Sequence, residues 1–547
     1  MPARLPLPIL RIRSMHRLRP PNPPSRLFTQ NTSSAHLQRP QLAFLSPSHK
    51  SSSRYLTTET KRWLKTEIKN GLKYTVYVYT FVGLTLVIIF GLQQEWCERK
   101  WPTPEEWTWV SRKDLRSVMW DMSRADDPKN LVDWANIGES FRWLLLRLEN
   151  PKKDGKDLET TMEGGILVEG VGKTGYDINK KSEPWRRGYY TILMGAARAA
   201  EQLDGWVRDK TRNVAFPKEM IIGPSNPIPR PTPPGAKTAP KEEDCEQAFE
   251  NPAVYYMRIL TTRGFSAGQR VEAALTYANW LDYKETPRAA EEMYKWALDI
   301  ALQDAPEGIL DRKTGVLDVA KGLPSRNVLT SVTAMAVHYA ANENLSTALP
   351  MLLSVLRARK SLHDAPVVLQ ALEEEKGPFK YVVDVLKPLF VPRPYPDALS
   401  DGTEVPLRTP TERCEEAGVM GYIGEILYVS KNSKSGQQEG LAWTREVVDI
   451  AEEELRRRRI GDEHKKKCKE CMEVGLGNWS KMVKKLAKEE QAAKKNKPGK
   501  GWLSFGGVDQ PVLKGRWETE LQVVKERARR AEDVLEKSGC EVVGDIP

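Results

Sequence analysis

Residues Tyr74 to Gln94, YTVYVYTFVGLTLVIIFGLQQ, run for 21 positions without a charged side chain. At a helical rise of about 1.5 Å per residue the stretch spans about 30 Å, the thickness of a bilayer hydrocarbon core. Backbone buried in lipid must satisfy its own N–H and C=O groups, so a single transmembrane helix is expected over 74–94. Tyr74, Tyr77 and Tyr79 stand at one end and Trp96 and Trp101 at the other, where aromatic rings favour the headgroup region. The other use of such a run, a core helix of a soluble domain, rarely goes this far without a charge.

The flanks set an orientation. Lys61, Arg62, Lys65, Lys69 and Lys73 precede the stretch against Glu59 and Glu67, whereas Glu95, Glu98, Arg99 and Lys100 follow it. Positive charge is retained on the side from which insertion starts. Further upstream, residues 1–56 hold nine Lys and Arg and no acidic side chain, and they are rich in Ser and Pro. This is the composition of a mitochondrial presequence; a secretory signal needs an unbroken apolar core, and here Pro6 and Pro8 interrupt Leu5–Leu10. Arg54-Tyr55-Leu56 matches an arginine-at-minus-three cleavage pattern and predicts a mature start near Thr57. A disordered basic tail is the alternative reading. The expected layout is a basic matrix segment at 57–73, an inner-membrane span at 74–94 and an intermembrane-space domain from 95 onward. Removing the nine basic residues leaves 75 Lys and Arg against 73 Asp and Glu, so the overall charge of +11 does not point to nucleic acid. Six Cys in 547 residues exclude a scaffold built on disulfides.

After residue 100 apolar positions recur at i, i+3, i+4 and i+7, and few segments alternate, so the domain is expected to be all-α. Region 95–222 carries a Gly-rich hairpin insertion at 160–180; 223–240, GPSNPIPRPTPPGAKTAP, reads as an extended linker; 241–455 is a repeat region; 456–547 is a basic helical segment closed by a helix. Internal repeats are the informative signal. Trp134, Ile137, Gly138 and Phe141 follow the first-helix spacing of a tetratricopeptide unit. Its second-helix spacing is met by Ala290, Tyr294 and Ala297, with Ala278 twelve residues earlier, and again by Ala348, with Ala336 twelve residues earlier and Tyr339 between. Small residues at these positions let antiparallel helices approach while large ones fill the gaps. The two units are 58 residues apart, which places an insertion at Gln303–Asn327; Glu415–Val429 with Glu439–Leu455 is a decayed third pair. Gly188–Val207 is a further small-residue helix, the expected partner of the Trp134 helix. A generic helical bundle is the alternative to this irregular, TPR-like helical-repeat solenoid. Between Glu452 and Lys500 sixteen basic and nine acidic residues read as a solvated helix face, or as a contact for anionic headgroups or an acidic protein. Trp517, Leu521, Val524, Ala528, Ala531 and Leu535 form one face of a helix ending at Gly539 that is expected to cap the array.

No catalytic constellation is visible. Gly172-Lys173-Thr174 ends like a phosphate-binding loop, but the position five residues before Gly172 is Leu167 where that loop needs glycine. Cys468 and Cys471 form one C-x-x-C, read as two unrelated surface thiols rather than a redox pair or half a metal site. His338 falls among core positions of a repeat helix. No enzyme activity, cofactor, metal, nucleic-acid partner or small-molecule substrate is therefore expected.

A presequence, one span near residue 80 and repeats marked by Trp134/Gly138/Phe141, Ala278/Ala290/Tyr294/Ala297 and Ala336/Ala348 resemble the fungal tetratricopeptide-repeat adaptor of the mitochondrial i-AAA protease complex. The resemblance implies a membrane-anchored adaptor that binds unfolded or misfolded proteins and presents them to the protease, which itself supplies ATP hydrolysis and proteolysis. It carries over no ligand-binding residue. A scaffold or assembly factor for another inner-membrane complex is the second reading, and an enzyme built around Gly172–Thr174 a third. The topology is tested by adding protease to mitochondria with ruptured outer membranes: a C-terminal tag should be removed, and full protection would reject the orientation.

Overall fold

The structure, a computed structural model, describes residues 58–537 except 126–131, 157, 161–166, 169–171, 174, 213, 233–234, 236, 366–394, 399, 431–433, 457–461 and 496–514. The presequence with its start at Thr57, Thr174, Arg457–Arg459 and the Gly539 helix end lie outside the described residues. The chain divides into two units, residues 1–86 and 87–547. In the first, residues 58–86 are helical throughout and open α1 (Thr58–Lys100), whose 43 residues are long and apolar enough to cross a membrane. The side chains of the charge-free stretch are exposed, from Val76 to Leu92.

The second unit is mostly helical. Its helices are α2 (Trp109–Ser123), α3 (Trp134–Leu148), α4 (Glu183–Gln202), α5 (Pro252–Thr261), α6 (Ala267–Tyr283), α7 (Pro287–Ala301), α8 (Arg326–Ala341), α9 (Leu345–Lys360), α10 (Pro410–Ser430), α11 (Lys434–Arg456), α12 (Asp462–Lys495) and α13 (Arg516–Lys537). Their starts are locally encoded. Ser182, Ser266 and Ser325 accept hydrogen bonds from backbone N–H groups in the first turns of α4, α6 and α8, and Gln269 completes a reciprocal capping box at α6. The helices pair as antiparallel hairpins, α6 with α7, α8 with α9, α10 with α11 and α12 with α13, and the second helix of each of the first three packs on the first helix of the next.

The two middle hairpins share one turn. Lys284 N–H bonds Trp280 C=O and Thr286 N–H bonds Leu281 C=O; Asn342 to His338 and Asn344 to Tyr339 repeat both bonds 58 residues later. Glu285 (φ 57°) and Glu343 (φ 62°) hold the same left-handed position. Ala278, Ala290, Ala297, Ala336 and Ala348 are fully buried where these helices meet. Tyr294 fills the adjoining gap, donating to Asn279 Oδ1 at 2.6 Å and lying 4.9 Å from the His338 ring, while half-buried Tyr339 donates to Glu291. The insertion between α7 and α8 buries Ile309, Leu310 and Leu317.

The Trp134 helix and the Gly188 helix are partners across the Gly-rich insertion, as expected. Ile137, Gly138 and Phe141 of α3 are buried, and Trp134 lies under the Arg198 guanidinium of α4. A Cβ on Gly195 would collide with the Phe141 ring, and one on Gly138 would sit 2.9 Å from the Phe249 ring. Within the insertion, β1 (Glu159–Thr160) pairs with β4 (Tyr176–Asp177) and β2 (Leu167–Val168) with β3 (Gly172–Lys173), two antiparallel pairs of two residues each.

Three expectations are corrected. The Gly188 helix stops at Gln202, because Gly205 (φ 77°) turns the chain and Trp206 opens a strand. That strand, β5 (Trp206–Asp209), lies between β6 (Val214–Pro217) and β7 (Cys245–Gln247) in an antiparallel sheet, so the unit is not purely α. The Pro-rich stretch 223–240 connects β6 to β7, and Ile222 bridges Lys241 at its base; its ends meet, so it forms a loop on the sheet instead of a spacer.

At the C-terminal end, Met472, Leu476, Trp479 and Val483 of α12 join Leu441 and Val448 of α11 and Val524 and Ala531 of α13 in a second core, with Trp517 and Leu521 packed on it. Lys481, Lys484, Lys485 and Lys488 stay exposed, the solvated face expected of the lysine run. The C-x-x-C reading is also corrected. Cys468 is joined to Cys414 of α10 in a disulfide, which staples α10 to α12, and Cys471 is a separate, half-buried thiol.

Within the second unit, the end of α1 is tied to α2 by charge. Glu98 accepts from Thr103 N–H at 2.9 Å, pairs with Arg112 at 3.3 Å and with Arg116, and Arg116 donates to Gln94 Oε1 at 2.9 Å. Arg116 is buried, so this cluster locks α2 across the end of α1. Where α3 meets α4, Gly195→Ala should cost about 1–3 kcal/mol by overpacking Phe141. Thermal denaturation of the detergent-solubilised chain measures this, and an unchanged midpoint would reject so tight a contact.

Candidate functional site

The sequence-marked repeat residues all lie in hairpin cores or against them, so they build the scaffold and leave the binding surface to other side chains. The chemistry considered from sequence does not assemble either. Gly172 and Lys173 sit in a two-residue strand whose partner is Leu167–Val168 and do not open a helix; α4 begins only at Glu183. Among the described residues no cluster of three His, Cys, Asp or Glu is arranged to hold a metal. Burial and the Glu415 charge push the Cys471 thiol up to about 12, so it stays protonated at neutral pH.

What the helices do form is a groove of about 1150 Å³ along α4 and the first helices of the next three hairpins, α6, α8 and α10, reaching Lys467 of α12. Its floor is polar. Tyr190 donates to Glu272 at 2.8 Å, and Arg186 to Gly264 C=O at 2.9 Å. Arg359 and Glu412 form a buried ion pair; burial raises the Glu412 carboxyl above the ordinary range and Arg359 opposes that rise. Lys467 bonds Glu415 at 3.2 Å, and that carboxylate lifts its ammonium against the opposing effect of burial.

One wall of the groove is a further piece of the same chain, residues 395–398 and 400–404. Arg187 stacks on Tyr395 at 4.9 Å and donates to the carbonyls of Pro396 (3.1 Å) and Asp397 (3.2 Å). The Asp401 carboxylate accepts from the free N–H groups of Ala267 (3.2 Å) and Gly268 (2.7 Å) at the start of α6. That end of the helix carries the positive pole of its dipole. At α8, Asn327 Nδ2 donates to Asp401 C=O at 2.9 Å, Asn327 N–H to Gly402 C=O at 3.0 Å and Arg326 N–H to Glu404 C=O at 3.2 Å.

Most of these contacts are made to main-chain carbonyls, which every residue type carries; the Asp401 carboxylate and the Tyr395 ring are the side-chain exceptions. Close approach depends on glycine twice. A Cβ on Gly268 would strike Asp401 C=O, and Gly402 adopts φ 74° with Asn327 against it.

Sequence reasoning missed Arg187, Gly268, Asn327, Asp401 and Glu412. The Ser266–Gln269 capping box and the Asp401-Gly402 turn are visible locally, but Asp401 reaches α6 across 133 residues and no local pattern announces it. No protein-family model, no curated protein and no solved structure matches this chain. Gly268→Val should expel residues 395–404, read as amide hydrogen exchange at Gly402 and Glu404 rising by about tenfold or more. Unchanged protection would overturn the close packing at this position.

Proposed function

We propose that the chain is a membrane-anchored protein-binding adaptor built on a TPR-like helical-repeat solenoid. In this reading it sits in the mitochondrial inner membrane with the domain in the intermembrane space, and holds unfolded polypeptide for the i-AAA protease. The observation that carries the binding role is the segment of residues 395–398 and 400–404, held through its carbonyls by Arg187, Asn327 and the N-terminus of α8, and through the Asp401 carboxylate by the N-terminus of α6. About 1150 Å³ of groove lies open beside it. A client strand laid there would meet both hydrogen-bonding groups and the apolar stems of long side chains.

Three further features support the reading. The matching turns 58 residues apart support reading the two hairpins as copies of one unit. Helix α1 supplies a membrane anchor by length and composition, and sharing a membrane with a protease raises effective concentration so that weak contacts suffice. The Cys414–Cys468 disulfide fits a domain that faces an oxidising compartment, as the intermembrane space is relative to the matrix.

The test is a gentle-detergent purification of the tagged chain from mitochondria with mass spectrometry of its partners. Recovery of the i-AAA protease supports the adaptor, whereas a stoichiometric respiratory or import complex in its place establishes the scaffold reading. Thr330→Trp, which fills the groove from an exposed position on α8, should weaken binding of an unfolded reporter protein by about tenfold, or ~1.4 kcal/mol. The melting temperature should stay unchanged. Undiminished binding would exclude the groove as the client site.

A further inference from the structure

Three indoles gather just beyond the charge-free stretch of α1, and a fourth stands at the other end of α2. Trp96 and Trp101 of the α1 end and Trp120 of α2 stand mutually edge-on, with ring centroids 6.4, 5.1 and 6.0 Å apart. Trp109, the first residue of α2, packs on Phe90 at 6.4 Å. Trp96, Trp109 and Trp120 remain 49%, 58% and 40% exposed, with Val110 open beside them. Indoles clustered at this exposure leave a large apolar surface in water unless another phase covers it.

The position says which phase. Phe90 lies one helical turn before Gln94, the last residue of the charge-free stretch, so Trp109 is level with the end of the span. Trp96 lies half a turn beyond it. The Lys100 ammonium sits 4.6 Å from the Trp101 ring centroid, 5.8 Å from Trp96 and 6.0 Å from Trp120. Apolar rings with a cation at their edge match the boundary between acyl chains and phosphates, where indoles partition and ammonium groups meet headgroup oxygens. The Glu98–Arg112–Arg116 cluster holds α2 at this level instead of letting it swing into solvent.

We propose that α2, with Trp96, Trp101, Trp109, Trp120 and Lys100, docks on the phospholipid interface of the membrane that α1 crosses. Through this second contact the bilayer orients the groove-bearing domain. The proposal rests on α1 as a membrane anchor, and the two are separable by experiment.

The full chain is reconstituted into nanodiscs of phosphatidylcholine and phosphatidylglycerol that carry a phosphatidylcholine with a diazirine near the glycerol end of one acyl chain. After irradiation, lipid adducts are mapped by mass spectrometry. Adducts are expected on both 74–94 and 109–120. In the Trp109→Glu, Trp120→Glu variant those on 109–120 should fall by about tenfold while those on 74–94 persist. Adducts confined to 74–94 in the unaltered chain would overturn the docking and leave the anchor standing. Absence of adducts on 74–94 would overturn the anchor and the docking with it. If a diazirine-bearing amino acid substituted for Val110 links the chain to a protein in place of lipid when intact mitochondria are irradiated, the surface is a protein contact and the proposal fails.

Discussion

Close approach of helices through small side chains is the constraint from which the rest of the second unit follows. Gly195 under the Phe141 ring, Gly138 under Phe249 and the fully buried alanines 278, 290, 297, 336 and 348 bring helix axes near enough for Tyr294, Phe141 and their neighbours to fill the remaining space. Gly424 and Gly440 do the same where α10 crosses α11, each facing the other's carbonyl. Interiors tolerate few voids, so the small residues and the large ones beside them act as one specification. Once each hairpin is this tight, its second helix is free to bury an outer face on the next hairpin, and the array propagates by nearest-neighbour contacts.

The groove is the consequence of that stacking. First helices align along one side, and several present their N-terminal ends there, where unsatisfied N–H groups and dipoles favour carbonyls and carboxylates. Asp401 and the backbone of 395–404 meet this demand from within the chain. The charged floor is internally compensated, Arg359 by Glu412 and Lys467 by Glu415. At the far end the Cys414–Cys468 bridge ties α10, which lines the groove, to α12 and the second core.

The other end of the unit is specified by charge and aromatic rings. Glu98 gathers Thr103, Arg112 and Arg116, and the indole cluster surrounds Lys100, so the helix leaving the charge-free stretch is continuous with the domain it carries.

Much of this was legible in the sequence because it is local. The charge-free stretch, the capping serines, the 58-residue offset and the Ala278/Ala290 and Ala336/Ala348 spacing all express helical periodicity, in which neighbours in sequence are neighbours in space. The pairing of α3 with α4 across the Gly-rich hairpin was readable for the same reason: each helix carries its own small-residue face. Tertiary structure alone decided the partners of Cys468, the anchoring of Asp401 on α6, the stacking of Arg187 on Tyr395 and the strand that Trp206 begins. These contacts join residues far apart in the chain, or depend on which edge the fold leaves unpaired. Their geometry is set by the path of the packed chain, a quantity that no window of sequence contains.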